Sequence, residues 1–384
     1  MAEKLNADEL VALVQRVFTP GEGDRGLAII VDMPDVEAAD VAAWKERRDM
    51  AADWAGLLSE RKSEIGMERV NLLLYRNARA NNADLPATGA YCSDGTLPDD
   101  ADEMRGGAVS FDQVFESHEI LIAPTQFSAT APLKMAARQY GFRAATMPGF
   151  DRSMIPALRL DYGVIGKRVD RLKAILDDAE QCDIRFDADG EECALTLDLR
   201  YRDAHASGGV FPDGGVAGNL PSGESYIVPY EGEIEGDPSR STGEIPVQLG
   251  DDVVVYRIEE NRAVEVISRN ATSADESHRL ELEPAYGNLA ELGLGVLGDF
   301  GLSPTGEILL DEKLGLHIAF GRSEHFGGQV GPDAFSSPDK VVHIDRVYIP
   351  KIQPKITIIE AMLKTSSGDD LLLMRDGQYQ IDFD

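Results

Sequence analysis

The sequence predicts an α/β amino-terminal domain with a parallel sheet, followed by a mainly antiparallel α+β domain. Its 384 residues are enough for two domains. In the first 150 residues, apolar strand-like runs alternate with helical segments, which is typical of a parallel sheet covered by helices on both faces. Short β-type runs separated by Pro, Gly and Asp follow. We therefore place the α/β domain at residues 1–150 and the α+β domain at residues 151–384.

Hydrophobic periodicity predicts the elements of the first domain. Buried-strand runs predict strands at residues 26–32, 70–75, 119–124 and 143–147. Amphipathic spacing predicts helices at residues 8–18, 36–64 and 131–140. The segment 85–107 is rich in Asp, Pro and Gly, so we expect a loop there.

The second domain is predicted to open with a helix over residues 154–179. Strand-like runs then follow at residues 183–187, 194–201, 225–228, 252–258, 263–268, 315–320 and 340–349. Residues 276–292 form the best later candidate for a helix.

The amino-acid composition of the chain limits the kinds of molecule that it can bind. The chain carries 68 acidic and 37 basic residues, a formal net charge of −31, which repels nucleic acid and anionic membrane. It has no apolar run of about 18 residues and no signal-peptide pattern at its start. Its three Cys are too few and too scattered for a disulfide framework or a Cys-based zinc site. We therefore expect an acidic cytoplasmic protein, while the composition says nothing specific about the substrate.

Two strand-like runs near the end of the chain contain candidate metal ligands. His343 and Asp345 lie two residues apart in an apolar run, so alternation places them on one face of a strand. His317 lies in a second run of this kind. A satisfied core histidine is the usual explanation of a single His, but a metal site explains these three residues together. His325 is either a further ligand, a substrate contact or an exposed loop residue.

Two glutamates complete the candidate set. The Gly-dense segment 207–224 lacks the Gly-Lys-Ser/Thr ending of a phosphate-binding loop. It is either a loop that delivers Glu224 to a site or an ordinary surface connection. Residues 293–298 match a dinucleotide-binding fingerprint, but the strand-loop-helix frame of that motif is not evident, so we discard the match. Glu291 lies just before this segment and is either a site residue or a surface acid. Two Glu, two His and one Asp suit a two-metal hydrolytic site, whereas two His and one carboxylate also suit a single Fe(II).

Four segments resemble the thermostable metallo-aminopeptidases typified by aminopeptidase T and aminopeptidase S. They are Asn219-Leu220-Pro221-Ser222-Gly223-Glu224, Leu289-Ala290-Glu291-Leu292, Leu316-His317-Ile318-Ala319-Phe320-Gly321 and His343-Ile344-Asp345. The resemblance covers roughly residues 150–350. It implies that the metal ligands are Glu224, Glu291, His317, His343 and Asp345, and that the protein is a homodimer. The expected cofactor is two divalent ions of Zn, Co or Mn.

One position departs from this family. The family has a catalytic Tyr seven residues after the first His, where this chain has Glu324 followed by His325. We therefore predict either that His325 replaces the Tyr in catalysis or that ordinary aminopeptidase activity is weak or absent. By the resemblance, one of the two catalytic glutamates, Glu224 or Glu291, binds or bridges the metals and the other serves as base, and the sequence does not decide which. The resemblance also implies a small peptide or another small molecule as substrate. A related branch, the dihydroxypyridine ring-cleaving dioxygenases, resembles the chain too and implies one Fe(II) instead. That branch lacks both glutamates, so the chain favours the two-metal hydrolase. A catalytically inactive peptide- or ligand-binding protein is the third alternative.

Overall fold

The computed structural model describes residues 3–93 and 95–383, which divide into two compact units. The first unit runs to Gly166 and also takes in Ser207–Ser222; the second comprises Lys167–Ala206 and the chain from Gly223 onward. The sequence placed the boundary between residues 150 and 151. The first unit extends further because Tyr162 is buried in it and because a strand within Ser207–Ser222 joins its sheet.

The first unit is an α/β structure built on a mixed, mostly parallel sheet. Its helices are α1 Ala7–Phe18, α2 Ala42–Glu60, α3 Phe111–Ser117, α4 Thr130–Tyr140 and α5 Ile155–Leu158. Its strands are β1 Gly26–Met33, β2 Arg69–Arg76, β3 Thr88–Tyr91, β4 Ala108–Ser110, β5 Ile120–Ala123, β6 Arg143–Thr146 and β10 Ala217–Asn219. Their order is β10-β6-β5-β1-β2-β3-β4, and only the pairings of β3 are antiparallel among those described. The predicted fold class of this domain is confirmed.

Burial explains why the strand predictions for this unit hold. Strand β1 is buried along its whole length between two parallel neighbours, so both of its faces are apolar. The predicted helix at 36–64 is too long at its start, because α2 begins at Ala42. Asp35 accepts hydrogen bonds from the backbone N–H groups of Glu37 and Ala38, which holds this stretch in a turn instead. The predicted loop 85–107 is wrong in part, since it contains β3.

The second unit is mainly antiparallel. Its strands are β7 Ala179–Ala188, β8 Glu191–Asp198, β9 His205–Ser207, β11 Glu224–Ile227, β12 Thr242–Leu249, β13 Asp252–Glu259, β14 Arg262–Val266, β15 Leu289–Gly295, β16 Leu316–Gly321, β17 His343–Val347, β18 Ile356–Thr365, β19 Asp370–Arg375 and β20 Gln378–Tyr379. Its helices are α7 Ala271–Leu282 and α8 Ile308–Asp311, while α6 Tyr162–Asp178 crosses the boundary between the units. The strands form two sheets, β17-β16-β15-β11-β9 and β14-β13-β12-β8-β7-β18-β19-β20.

The predicted helix at residues 276–292 is confirmed for residues 276–282 and wrong from residue 283 onward. Helix α7 starts earlier, at an Asn270 side chain that accepts a hydrogen bond from the backbone of Ser273, and it ends at Leu282. Pro284 cannot continue a helix, and a short 3₁₀ turn leads into β15. Glu291 therefore lies on a fully buried strand, and its side chain is positioned by sheet geometry.

No helix within residues 3–93 and 95–383 combines the length and the apolar character needed to span a bilayer.

Candidate metal centre

One face of the five-stranded sheet carries the predicted acidic and imidazole side chains. Glu224 on β11 pairs with Gly295 on β15, and Glu291, two alternations earlier on β15, pairs with Ala319 on β16. Asp345 on β17 pairs with Ala319 from the other side. Paired residues on antiparallel strands project to the same face, so the three carboxylates share it.

The two imidazoles reach this face in the same way. His317 on β16 pairs with Gly293 on β15, and His343 on β17 pairs with Gly321 on β16. Both strand partners are glycines, and the absence of a side chain at Gly293 leaves room for the His317 ring. A Cβ atom on Gly293 would lie 2.0 Å from His317 Nε2, so a larger residue cannot occupy that position without moving the ring.

The structure brings the five predicted ligands into two compact groups that share one carboxylate. The groups are Glu224, Glu291 and His317, and Glu291, His343 and Asp345, and within each group one ligand atom per residue lies within 4.8 Å of the others. Glu291 Oε1 is 3.3 Å from His317 Nε2, and Glu291 Oε2 is 3.2 Å from His343 Nε2. The outer carboxylates complete the groups, with Glu224 Oε2 3.7 Å from His317 Nε2 and Asp345 Oδ1 3.4 Å from His343 Nε2.

Backbone carbonyls fix the orientation of both rings. His343 Nδ1 lies 2.7 Å from the carbonyl oxygen of Arg322, and His317 Nδ1 lies 3.4 Å from that of Gly315. A carbonyl oxygen accepts, so each Nδ1 carries a hydrogen and each Nε2 faces the carboxylates. This arrangement of the second ring nitrogen is typical of histidines that bind metal through Nε2.

A buried lysine holds the first glutamate. Lys313, whose side chain is 1% exposed, donates to Glu224 Oε1 at 2.5 Å and also to Glu312. The other oxygen, Glu224 Oε2, is buried and has no hydrogen-bond partner among the described residues. An unsatisfied buried carboxylate oxygen is costly, and it points to a missing cation or donor beside His317. The donor set, carboxylates with imidazole nitrogens, suits a divalent metal ion.

The charges of the two groups shift the pKa values of their members. Burial by itself raises the pKa of Glu291, but hydrogen bonds from His317 and His343 outweigh it and hold the value at about 2. Burial lowers the pKa of His317, whereas the hydrogen bond to Glu291 and nearby carboxylate charges raise it to about 9. The pKa of His343 is likewise raised well above its ordinary range despite burial, chiefly by Asp345. The two imidazolium groups thus supply positive charge beside these carboxylates, which bound divalent cations would otherwise supply.

Sequence reasoning missed Glu312 and Lys313. Burial raises the pKa of Glu312 to about 8, against the lowering effect of Lys313. Both lie in a short 3₁₀ turn directly before β16, a place where charged side chains are usually solvated. The sequence signal was a charged pair close to a strand that carries a ligand, but burial cannot be inferred from that spacing.

The position of the family's Tyr is occupied by a carboxylate that turns away from the site. Glu324 is paired with the Arg322 guanidinium through contacts of 2.6 and 2.9 Å and is exposed. His325 lies closer, with its ring centroid 5.2 Å from that of His343 and 4.0 Å from that of Phe326. Burial, followed by the charges of His343 and Arg322, lowers the pKa of His325 to about 4. His325 is therefore a neutral imidazole beside the second group.

An aromatic band borders the site and was not foreseen. The Tyr226 ring lies 5.2 Å from the His205 ring and 4.8 Å from the Phe326 ring, and Phe326 lies 5.4 Å from His343. Tyr226, His205 and Phe326 are each half-buried. Tyr226 follows Glu224 by two residues, so period-2 alternation was the signal that could have placed it on the same face.

The fold is one shared by two kinds of solved enzyme structure. One is 2,5-dihydroxypyridine dioxygenase from Pseudomonas putida KT2440, with a TM-score of 0.59 and 13% identity, covering 98% of this chain and 98% of that chain. The other is wild-type AmpT from Thermus thermophilus, with a TM-score of 0.54 and 16% identity, covering 98% of this chain and 99% of that chain. No protein-family model and no curated protein matches the sequence. Both families that the motifs resemble are thus matched in fold, and at these identities in fold alone.

Proposed function

We propose that this protein is a two-metal hydrolase that cleaves an N-terminal peptide bond or a related amide. The supporting observation is the position of Glu291, whose two oxygens each face a different imidazole. A carboxylate placed in this way can bridge two ions. The AmpT fold is in agreement with the proposal.

The residues of the chain divide the work as follows. Glu224, Glu291 and His317 would hold a first ion, and Glu291, His343 and Asp345 would hold a second. Lys313 donates to Glu224 Oε1, so Oε2 is the oxygen of Glu224 that would be available to bind metal. The sequence left open which glutamate serves as a base. Because Glu291 is flanked by both imidazoles, we assign it to bridging and Glu224 to the first ion.

Bound divalent ions would polarise the substrate carbonyl and lower the pKa of a bound water to about 7. His325, neutral and beside His343, is positioned to donate one N–H to the substrate. Zn, Co and Mn each suit this donor set. Homodimerisation, the absence of nucleic-acid and membrane partners, and a cytoplasmic location stay predictions.

Metal analysis combined with turnover tests the proposal. Protein purified without added metal, then loaded with Zn, Co or Mn, is expected to hold two ions per chain and to hydrolyse aminoacyl amides. Glu291→Gln should lose both ions, because each depends on one of its oxygens. Glu324→Gln is the control, since that carboxylate faces Arg322 and should bind metal normally. Two ions retained by Glu291→Gln would contradict the bridging role, and a loaded wild type without turnover would favour a binding protein.

The dioxygenase is the second candidate, because its fold matches and the chain contains two His and one Asp of the type that holds Fe(II). The geometry favours it less. His317 belongs to one compact group and His343 to the other, and Glu291 separates them. One iron per chain with oxygen uptake on a dihydroxypyridine would establish this alternative, whereas two ions with amide hydrolysis would exclude it.

A further inference from the structure

Tyr226 belongs to the same sheet face as the metal ligands. It lies on β11 two residues after Glu224, so the two side chains project to the same side. It pairs directly with Gly293 on β15. Gly293 has no side chain to fill the space between Tyr226 and the ring of His317, which pairs with Gly293 from the opposite strand.

The position of Tyr226 relative to His317 follows from these pairings. Cβ atoms of directly paired residues lie about 4.5–5.5 Å apart. A Cβ placed on Gly293 would be 2.0 Å from His317 Nε2. The Tyr226 Cβ therefore lies between about 2.5 and about 7.5 Å from that nitrogen. A phenol at this position is a direct neighbour of the Glu224, Glu291 and His317 group.

The ring is held while its hydroxyl is free. His205 packs against one part of the ring at 5.2 Å and Phe326 against another at 4.8 Å, and Phe326 also contacts the ring of His343. Within residues 3–93 and 95–383, the Tyr226 hydroxyl makes no hydrogen bond. Other tyrosines of this unit use their hydroxyls as hydrogen-bond donors: Tyr286 donates to Glu276, and Tyr379 donates to the carbonyl oxygen of Gly295.

The carboxylates and the ammonium of the site are poorly suited to stabilise negative charge on a substrate, which leaves the His325 N–H beside the second group and the Tyr226 hydroxyl beside the first as donors. Ionised carboxylates accept hydrogen bonds and cannot donate them. The Lys313 ammonium already donates to Glu224 and Glu312. Glu324, at the family's Tyr position, is an acceptor paired with Arg322. Tyr226 supplies a hydroxyl donor that is not already committed.

We infer that the Tyr226 hydroxyl donates a hydrogen bond to the substrate carbonyl oxygen as that oxygen gains negative charge. The inference rests on the proposed amide hydrolysis. Water oxygen forms the new C–O bond, the C–N bond breaks, and the amine leaves with the proton that water supplies. The phenol keeps its hydrogen throughout and acts by donation alone, as donors of an oxyanion hole do.

Tyr226→Phe tests this directly, because it removes the hydroxyl and keeps the ring contacts with His205 and Phe326. Turnover (kcat) on aminoacyl amides is expected to fall about 10²–10³-fold, as on loss of one oxyanion donor, with KM changed little. Metal content and melting temperature should match wild type. Tyr201→Phe is the matched control, since that tyrosine is 60% exposed and its hydroxyl binds Asp237.

A binding measurement separates failure of this inference from failure of the proposed function. A phosphonamidate dipeptide analogue, which carries the negative oxygen permanently, should bind metal-loaded wild type at least about tenfold more tightly than Tyr226→Phe. The free amine product should bind both equally. Equal analogue affinities, or kcat within about twofold of wild type, would overturn the role of Tyr226 and leave the hydrolase intact. Wild type that neither hydrolyses amides nor binds the analogue would overturn both.

Discussion

The imidazole of His317 lies directly over Gly293, at a distance that no side chain at residue 293 would permit. A Cβ atom there would be 2.0 Å from Nε2 and 2.1 Å from Cε1 of the ring. His317 and Gly293 are paired across β15 and β16, so the contact is a consequence of strand register. The glycine is therefore part of the site even though it offers no ligand.

Gly293→Ala is expected to displace the His317 ring and to remove the first ion while leaving the second. Overpacking of this kind typically costs about 1–3 kcal/mol of stability. Metal content should fall from two ions to one, measured on the purified variant together with its melting temperature. Gly56→Ala is the control, because no atom lies within 4 Å of a Cβ on that helical glycine. A variant Gly293→Ala that keeps two ions and full activity would disprove the steric argument.

His343→Ala is expected to lose the second ion, so that metal content falls from two ions per chain to one. Its Nε2 faces Glu291 and Asp345, and its Nδ1 is held by the Arg322 carbonyl, so the second group depends on this ring. The measurement is metal content at equal protein concentration after dialysis. His278→Ala should behave as wild type, because that side chain is 69% exposed. Unchanged metal in a folded His343→Ala protein would remove the residue from the ligand set.

Lys313→Met is expected to destabilise the metal-free protein strongly. The ammonium is buried between Glu224 and Glu312, and removal of one partner from a buried ion pair costs about 3–5 kcal/mol. Metal should restore part of this loss, because an ion beside Glu224 supplies positive charge again. Urea unfolding with and without metal measures both effects. Lys340→Met, at a position 59% exposed, is the control; equal stabilities of the two variants would show that the buried charges are not coupled.

The strands that carry the ligands could be predicted because short-range patterns determine them. Apolar runs placed His317 on β16 and His343 with Asp345 on β17, and alternation put the last two on one face. The segment around Glu291 was assigned to a helix because a short apolar run before a Gly-rich stretch fits the periodicity of a buried helix and of a buried strand equally well. Register across four strands, the space above Gly293 and the burial of Lys313 depend on contacts between distant segments, which no local pattern encodes.

The stability of the metal-free protein is expected to depend on pH through Glu291 and His317. Burial opposes both charges, but their mutual hydrogen bond prevails, with a pKa of about 9 for His317 and about 2 for Glu291. Because the pKa of His317 is raised on folding, its positive charge stabilises the folded protein fully below the ordinary pKa of 6.5. This contribution to the free energy of unfolding is lost as the pH rises through about 9. Because the pKa of Glu291 is lowered on folding, its negative charge stabilises the folded protein fully above the ordinary pKa of 4.5. This contribution is lost as the pH falls toward about 2.

The pair should therefore contribute most between about pH 4.5 and 6.5 in protein treated with a chelator. Urea unfolding from pH 3 to pH 9 measures the profile. In the His317→Gln variant, the free energy of unfolding should change less between pH 6.5 and pH 9 than it does in wild type. Zinc added at pH 7 should also release protons, because both imidazoles must become neutral to bind metal. A wild-type profile that rises from pH 6.5 to pH 9 would contradict the assignment.

His325→Ala is expected to lower kcat/KM on aminoacyl amides by about 2–12-fold, the value of one neutral hydrogen bond. The ring lies 5.2 Å from that of His343, and its pKa, lowered to about 4 by burial and then by His343, keeps it neutral with one N–H to donate. This is a smaller effect than the fall of about 10²–10³-fold in kcat that is expected for Tyr226→Phe. Glu324→Gln is the neighbouring control and should leave kcat/KM unchanged, since its carboxylate is held by Arg322. If kcat/KM of His325→Ala equalled that of Glu324→Gln while Tyr226→Phe lost activity, His325 would have no role. Tyr226 on β11 would then be the residue that replaces the hydroxyl of the family's Tyr.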